Sequence, residues 1–242
     1  MFRTTTLIKH TTYHLKPYKL ARAASMSLKA ISSKDAAALD KDLMDVGGFS
    51  LDQLMELAGV SVSQAGGDGL VAARHLVHYG YKPSVYYPKE GKNELYQMKR
   101  LKTQLQNLDV PFVPDFTEAL KSADLVVDGI FGFSFQKPLR EPFPSIISQL
   151  EETKVPVLSI DAPSSWDIQE GPPKEGPGAK FMPGALISLT APKPCVKWYQ
   201  GRHFVGGRFL TKAIAEKYDI DIPDYPGVDQ IIEIGVNADE KL

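Results

Sequence analysis

Two short apolar runs constrain the fold of this 242-residue chain more than anything else in it: DLVVDGIFG at 124–132 and VPVLSID at 155–161. Each is dense in β-branched residues with no polar alternation, the pattern of a strand buried on both faces. Between them lies PFPSIISQLEETK (142–154), which predicts a helix opened by proline. The same beat runs on either side. PSVYYP (83–88) predicts a strand, NELYQMKRLKTQLQNL (93–108) an amphipathic helix, VPFVP (110–114) a short strand and TEALKSA (117–123) a short helix. ALISLTAPKP (185–194) closes the series. Buried strands alternating with helices imply parallel pairing, so the expected class is a doubly wound three-layer α/β/α sandwich, Rossmann-like, with a mostly parallel sheet.

The N-terminal third is helical instead. Ser33 is placed to cap a helix carrying Ala36, Ala37, Leu39, Leu43 and Met44; Gly47-Gly48 breaks it, and Ser50 restarts a second helix running to about Ala65. A third spans Gly69 to Tyr79. The glycine cluster Gly66-Gly67-Asp68-Gly69 therefore follows a helix, whereas a glycine turn that presents amides to a phosphate usually follows a strand.

Composition narrows the function. A net charge of −1 gives no basic excess to drive nucleic-acid binding, one cysteine (Cys195) rules out an internal disulfide framework, and no apolar run is long enough to cross a membrane. Residues 1–27 contain basic and hydroxylic residues and no acid, the first acidic residue being Asp35, which is the composition of a mitochondrial transit segment; 28–242 form the domain. Initiation at Met26 would give a shorter, cytoplasmic product.

In parallel sheets the chemistry gathers at the carboxyl ends of strands. Asp128 and Asp161 end the two defining runs, so their carboxylates are expected to converge there, with Ser164 close by. Gly129 and Gly132 sit just past the first run in GIFGFSFQKP, where Phe131, Phe133 and Phe135 fit a core turn and the glycines with Ser134 and Lys137 fit a ligand loop. His75 and His78 lie on one helix without a third ligand, and Cys195 has no evident base; both read as structural. The stretch 167–184 is rich in Gly and Pro and reads as a surface loop, a lid or an interface.

DLMDVGGFSLDQLMELAGVSVSQA, GGDGLVAARHLVHYGYKPSVYYP, DGIFGFSFQKPLREPF, SIDAPSSWDIQEGP, SLTAPKP and GGRF together resemble the NAD(P)HX epimerases, the YjeF N-terminal domain family, whose animal members are also called apolipoprotein A-I binding proteins. The resemblance implies an isomerase that interconverts the R and S epimers of NADHX and NADPHX in nicotinamide nucleotide repair, working as a homodimer alongside a separate dehydratase. It implies nucleotide contacts at Gly66, Gly67, Asp68 and at Gly132, Phe133, Ser134, Phe135, Gln136, Lys137 and Pro138. One potassium ion per subunit would sit at Asp128 and Ser164, and Asp161 would meet the hydrated ring as the acid/base group. A non-catalytic binding protein of the same fold is the alternative. Two departures stand out. Ser165 replaces a common glycine, and the buried strand and GPGNN run that the family carries before GGDG are missing between Ala65 and Gly66. Without them the sheet lacks its first strand, the expectation being poor folding and impaired binding of nucleotide and potassium.

Overall fold

The computed structural model describes residues 4–9, 28–65, 69–88, 96–133 and 135–235. These residues form one seven-stranded sheet of order β2-β1-β3-β4-β5-β6-β7 with helices on both faces. The strands are β1 (Thr4–Lys9), β2 (Lys82–Tyr86), β3 (Leu125–Gly129), β4 (Val157–Ile160), β5 (Ala185–Leu189), β6 (Arg202–Gly206) and β7 (Ile231–Gly235). From β3 to β6 every pairing is parallel. β1 is antiparallel to both β2 and β3, so β2 runs the same way as β3, and only β1 and β7 oppose the other five.

Among the described residues no strand separates α2 (Leu51–Ala65) from α3 (Gly69–His78), in keeping with the sequence. The gap this leaves in the sheet is filled from the other end of the chain. Thr4–Lys9 lies between β2 and β3, pairing Thr5 with Tyr86 on one side and with Asp128 on the other. Its side chains explain why it fits: Leu7 packs among Val126, Phe116 and Ile147 on one face, and Ile8 among Val62, Leu76 and Val127 on the opposite face. A strand buried on both sides satisfies the apolar surfaces of α2 and α3 that would otherwise be uncovered. Direction matters less to burial than alternation, so a strand of reversed polarity can serve. The expectation of an open sheet is thus corrected, and the first residues of the leader-like segment belong to the folded core.

Other expectations shift by a residue or more. The cap of α1 (Ser33–Asp45) is Ser32, whose hydroxyl accepts from the Asp35 N–H at 3.1 Å. Ser50 and Gln53 form a reciprocal capping box that opens α2: the Ser50 hydroxyl accepts from the Gln53 N–H and the Gln53 side chain from the Ser50 N–H. VPFVP does not pair as a strand; an isolated bridge between Val85 and Phe112 is all that its two prolines and short length permit. The series does not close at Leu189 either. RHFVG and IIEIG extend the sheet, with α7 (Lys212–Lys217) between them. Helices α4 (Tyr96–Asn107), α5 (Phe116–Lys121) and α6 (Phe143–Glu152) stand where periodicity places them.

The 167–184 stretch has no helix or strand of its own, but it is pinned. Glu151 at the end of α6 accepts from the Gly178 and Lys180 N–H groups, and the Trp166 indole donates to the Phe181 carbonyl.

Candidate active site

The carboxyl ends of β3, β4 and β5 bring Asp128, Asp161 and Lys193 to one edge of the sheet. Asp128 is fully buried, and both of its oxygens are occupied. Ser159 and Ser164 donate hydroxyls to it, and Ser164 also donates its backbone N–H at 2.9 Å. The Ser164 hydroxyl in turn accepts from the Phe131 N–H at 3.1 Å, so this one serine stitches the loop after β3 to the loop after β4. All the donors are neutral. Burial pushes the Asp128 carboxyl above its ordinary range, the hydrogen bonds from Ser164 and Ser159 working against it.

Asp161 follows β4 with φ of 63°, a left-handed conformation that a non-glycine residue holds only when its surroundings fix it. They do. Its N–H donates to the Ile187 carbonyl at 2.7 Å, and its Oδ1 accepts from the Leu189 N–H at 3.0 Å and from Lys193 Nζ at 2.8 Å. Lys193, 2% exposed, spends its remaining donors on the Leu189 and Ala191 carbonyls and lies 6.0 Å from the Phe133 ring centre. Every proton on that ammonium has an acceptor, which is what makes a buried lysine tolerable. Oδ2 of Asp161 faces Gly132, whose missing side chain would stand 3.7 Å from it.

Asp161, Lys193, Thr190 and Phe133 line a cavity of about 160 Å³ whose remaining wall comes mainly from α1, α2 and α3, with Leu101 of α4 and Phe209 completing it. Asp40 of α1 lines it too, and its carboxyl is pushed up to about 6, first by lost solvation and then by the Asp161 charge, with Lys193 pulling the other way.

Of the expected site residues, Asp128 and Ser164 are in direct contact, and Asp161 and Phe133 line the cavity. Phe135 packs with Phe131 and Phe143 in the core, so the glycine loop is core turn and cavity wall at once. Gln136, Lys137 and Pro138 are exposed beyond it. Gly66, Gly67, Asp68 and Ser134 lie outside the described residues. Cys195 is buried with its thiol pushed up to about 12, a structural residue as the sequence implies. Lys193 and Asp40 were not legible as site residues. The only signal for Lys193 is a lysine inside an otherwise apolar strand-to-turn run, and for Asp40 an acid flanked by inward-facing Leu39 and Leu43.

The family model described as YjeF-related protein N-terminus matches residues 56–195, more than half of the chain. This chain belongs to the YjeF-related N-terminus family. Among its relatives, the protein of Aspergillus fumigatus named NAD(P)H-hydrate epimerase is 72% identical and is covered completely by 90% of this chain. The Schizosaccharomyces pombe protein of the same name is 53% identical, with 86% of this chain and 97% of that one covered. The crystal structure of yeast ynu0, YNL200c, superposes with a TM-score of 0.79 at 39% identity, over 85% of this chain and 100% of that one.

The match to the Aspergillus protein runs over 243 residues, whereas 90% of 242 is about 218, so about 25 residues of that family member have no counterpart here.

Proposed function

We propose that this chain is an NAD(P)H-hydrate epimerase, an isomerase acting on NADHX and NADPHX. The observation that carries the reading is the Asp161–Lys193 pair: a carboxylate locked through Oδ1, with Oδ2 left facing a glycine at the rim of a small cavity. The cavity is well below the roughly 300 to 1,000 Å³ that holds a whole drug-sized ligand, which suits a single hydrated ring whose nucleotide tail lies outside. Epimerising the carbon that bears the hydroxyl requires reversible cleavage of a bond at that carbon with proton transfer to and from the leaving group. Asp161 is the group we place there. The tail would run along Gly132–Pro138 and Gly66–Asp68.

Potassium fits the chemistry at Asp128. The available groups are all oxygens, hard ligands suited to an alkali cation, the Ser159 and Ser164 hydrogen bonds to the Asp128 carboxyl come from neutral donors, and its charged form is left to be balanced. Asp128 and Ser164 would hold it, and the ion would supply that balancing charge near the nucleotide. Homodimer formation and a partner dehydratase belong to the same proposal, as does a mitochondrial address that is not cleaved off, since removing residues 1–27 would take β1 from the sheet.

The test is direct: purified chain is mixed with a single epimer of NADHX and the epimer ratio is followed by chromatography. The expected result is equilibration faster than in buffer. Asp161→Asn should abolish it while nucleotide affinity stays within about tenfold, because the carboxylate's task is proton transfer. Retention of more than a tenth of the rate would remove Asp161 from the reacting centre.

A further inference from the structure

We propose that Asp40 is a second reacting carboxyl of this site, giving its proton to the ring hydroxyl as that hydroxyl leaves; the proposal rests on the epimerase reading above. Helix α1 turns Ala36, Leu39 and Leu43 into a cluster with Ile214 and Ala191, and Asp40, one turn after Ala36, reaches the cavity from the edge of that face. Two other acids of α1 are engaged elsewhere, and Asp45, at the helix's last position, does not line the cavity. Asp35 accepts from the Ser32 hydroxyl at 2.7 Å, and Asp42 is held by Lys217 and by the Tyr218 hydroxyl. Asp40 has no hydrogen-bond or ion-pair partner among the described residues; it is solvent-exposed where it borders the cavity, which Asp161, Lys193 and Thr190 line together with Leu39, Leu54, Met55 and Val71. An unpaired carboxyl that meets solvent on one side and the Asp161 charge at the same cavity can take a proton from water and hold it for use.

The charged groups facing Asp40 are Asp161, from the end of β4, and Lys193, from the turn after β5; α2, α3 and α4 present only apolar side chains to the cavity. The two carboxyls reach the cavity from different layers of the fold, one from a helix and one from a strand end. Inversion needs that. In one direction the ring nitrogen's lone pair forms a C=N bond as the C–O bond breaks with its electrons on oxygen, and the Asp40 proton converts the departing hydroxyl to water. Water then adds to the other face of the planar cation. Its oxygen supplies the electrons of the new C–O bond, the C=N pair returns to nitrogen, and the surplus proton passes to Oδ2 of Asp161. Nothing is oxidised or reduced, and exchange with solvent returns the proton from Asp161 to Asp40.

The full chain and its Asp40→Asn, Asp40→Glu and Asp161→Asn variants are the materials. Asp40→Asn is expected to lower kcat by at least about a hundredfold with KM changed less than about threefold, and Asp40→Glu to restore part of it. The wild-type kcat should fall tenfold per pH unit above about 6, and that limb should vanish in Asp40→Asn. Independently of turnover, carboxyl carbon NMR should show a resonance titrating near 6 that is absent in Asp40→Asn and moves down in Asp161→Asn. Asp40→Asn keeping more than a tenth of wild-type kcat, the limb surviving in that variant, or the absence of such a resonance would each overturn the role of Asp40. An inactive wild-type chain would overturn the epimerase reading and this role with it.

Discussion

At the scale of single residues, strain collects where the chemistry is. Asp161, Ser165 and Thr190 all hold positive φ within the two loops that frame the site. Asp161 is fixed by three hydrogen bonds, but Ser165 has no such compensation: it is buried, its φ is 83°, and its hydroxyl finds no partner. Ser165→Gly should therefore stabilise the protein by about 1 kcal/mol, relieving the left-handed backbone and the orphaned hydroxyl at once, less the entropy glycine adds to the unfolded chain. Urea unfolding checks it. A lower midpoint would show that the serine contributes something the structure does not display. His203 supplies a pH test. Burial depresses its imidazole to about 3, its Nε2 meets the Ser188 hydroxyl at 2.9 Å, and its Nδ1 is unpartnered. Since the unfolded chain takes up a proton near 6.5 and the folded one only near 3, the stability present above 6.5 is lost as pH falls between those values, by about 1.4 kcal/mol per pH unit. His203→Gln should flatten that slope by one proton in unfolding free energies measured from pH 7 to 4. An unchanged slope would mean the histidine titrates normally.

Among the elements, β1 departs most from what the sequence discloses. Strands β3, β4 and β5 were legible because unbroken apolar runs ending in Asp or Thr leave few other folds. TTTLIK carries no such mark: half of it is threonine, and its basic, acid-free surroundings speak of a leader. Only the place between β2 and β3, left where α2 runs on to α3 some sixty residues downstream, gives it a partner on each side, and no local pattern can report that. Its imperfection shows in Thr5, whose buried hydroxyl has no partner. β6 and β7 were missed for a plainer reason, their Arg, His and Glu interrupting the apolar run. Thr6→Pro removes a ladder N–H from a strand paired on both sides and should cost about 3 kcal/mol or more. Denaturant melts of this variant beside wild type provide the check, and equal midpoints would place β1 outside the cooperative fold.

For the molecule as a whole, the account joins an epimerase site to a sheet repaired from its own N-terminus. The site's carboxylates were readable from strand ends, and the lysine that locks Asp161 was not, because its partner lies thirty-two residues away and only the parallel pairing of β4 with β5 brings them together. Reinserting a strand and GPGNN between Ala65 and Gly66 should displace β1, restore phosphate-facing amides and lower KM for the hydrated nucleotide by at least about tenfold, since each charge-assisted hydrogen bond contributes roughly 1.5 to 3 kcal/mol. Steady-state epimerase kinetics on the two chains measure it, and identical KM values would mean the lost segment does not serve the nucleotide. Thr4–Lys9 is the strand that joins β2 to the rest of this sheet, and amide hydrogen exchange on the full chain measures that pairing. Thr5 to Ile8 should exchange as slowly as Val126 to Asp128 of β3, opening only with global unfolding. Exchange of those four amides at the rate of an unstructured peptide, with β3 still protected, would contradict it.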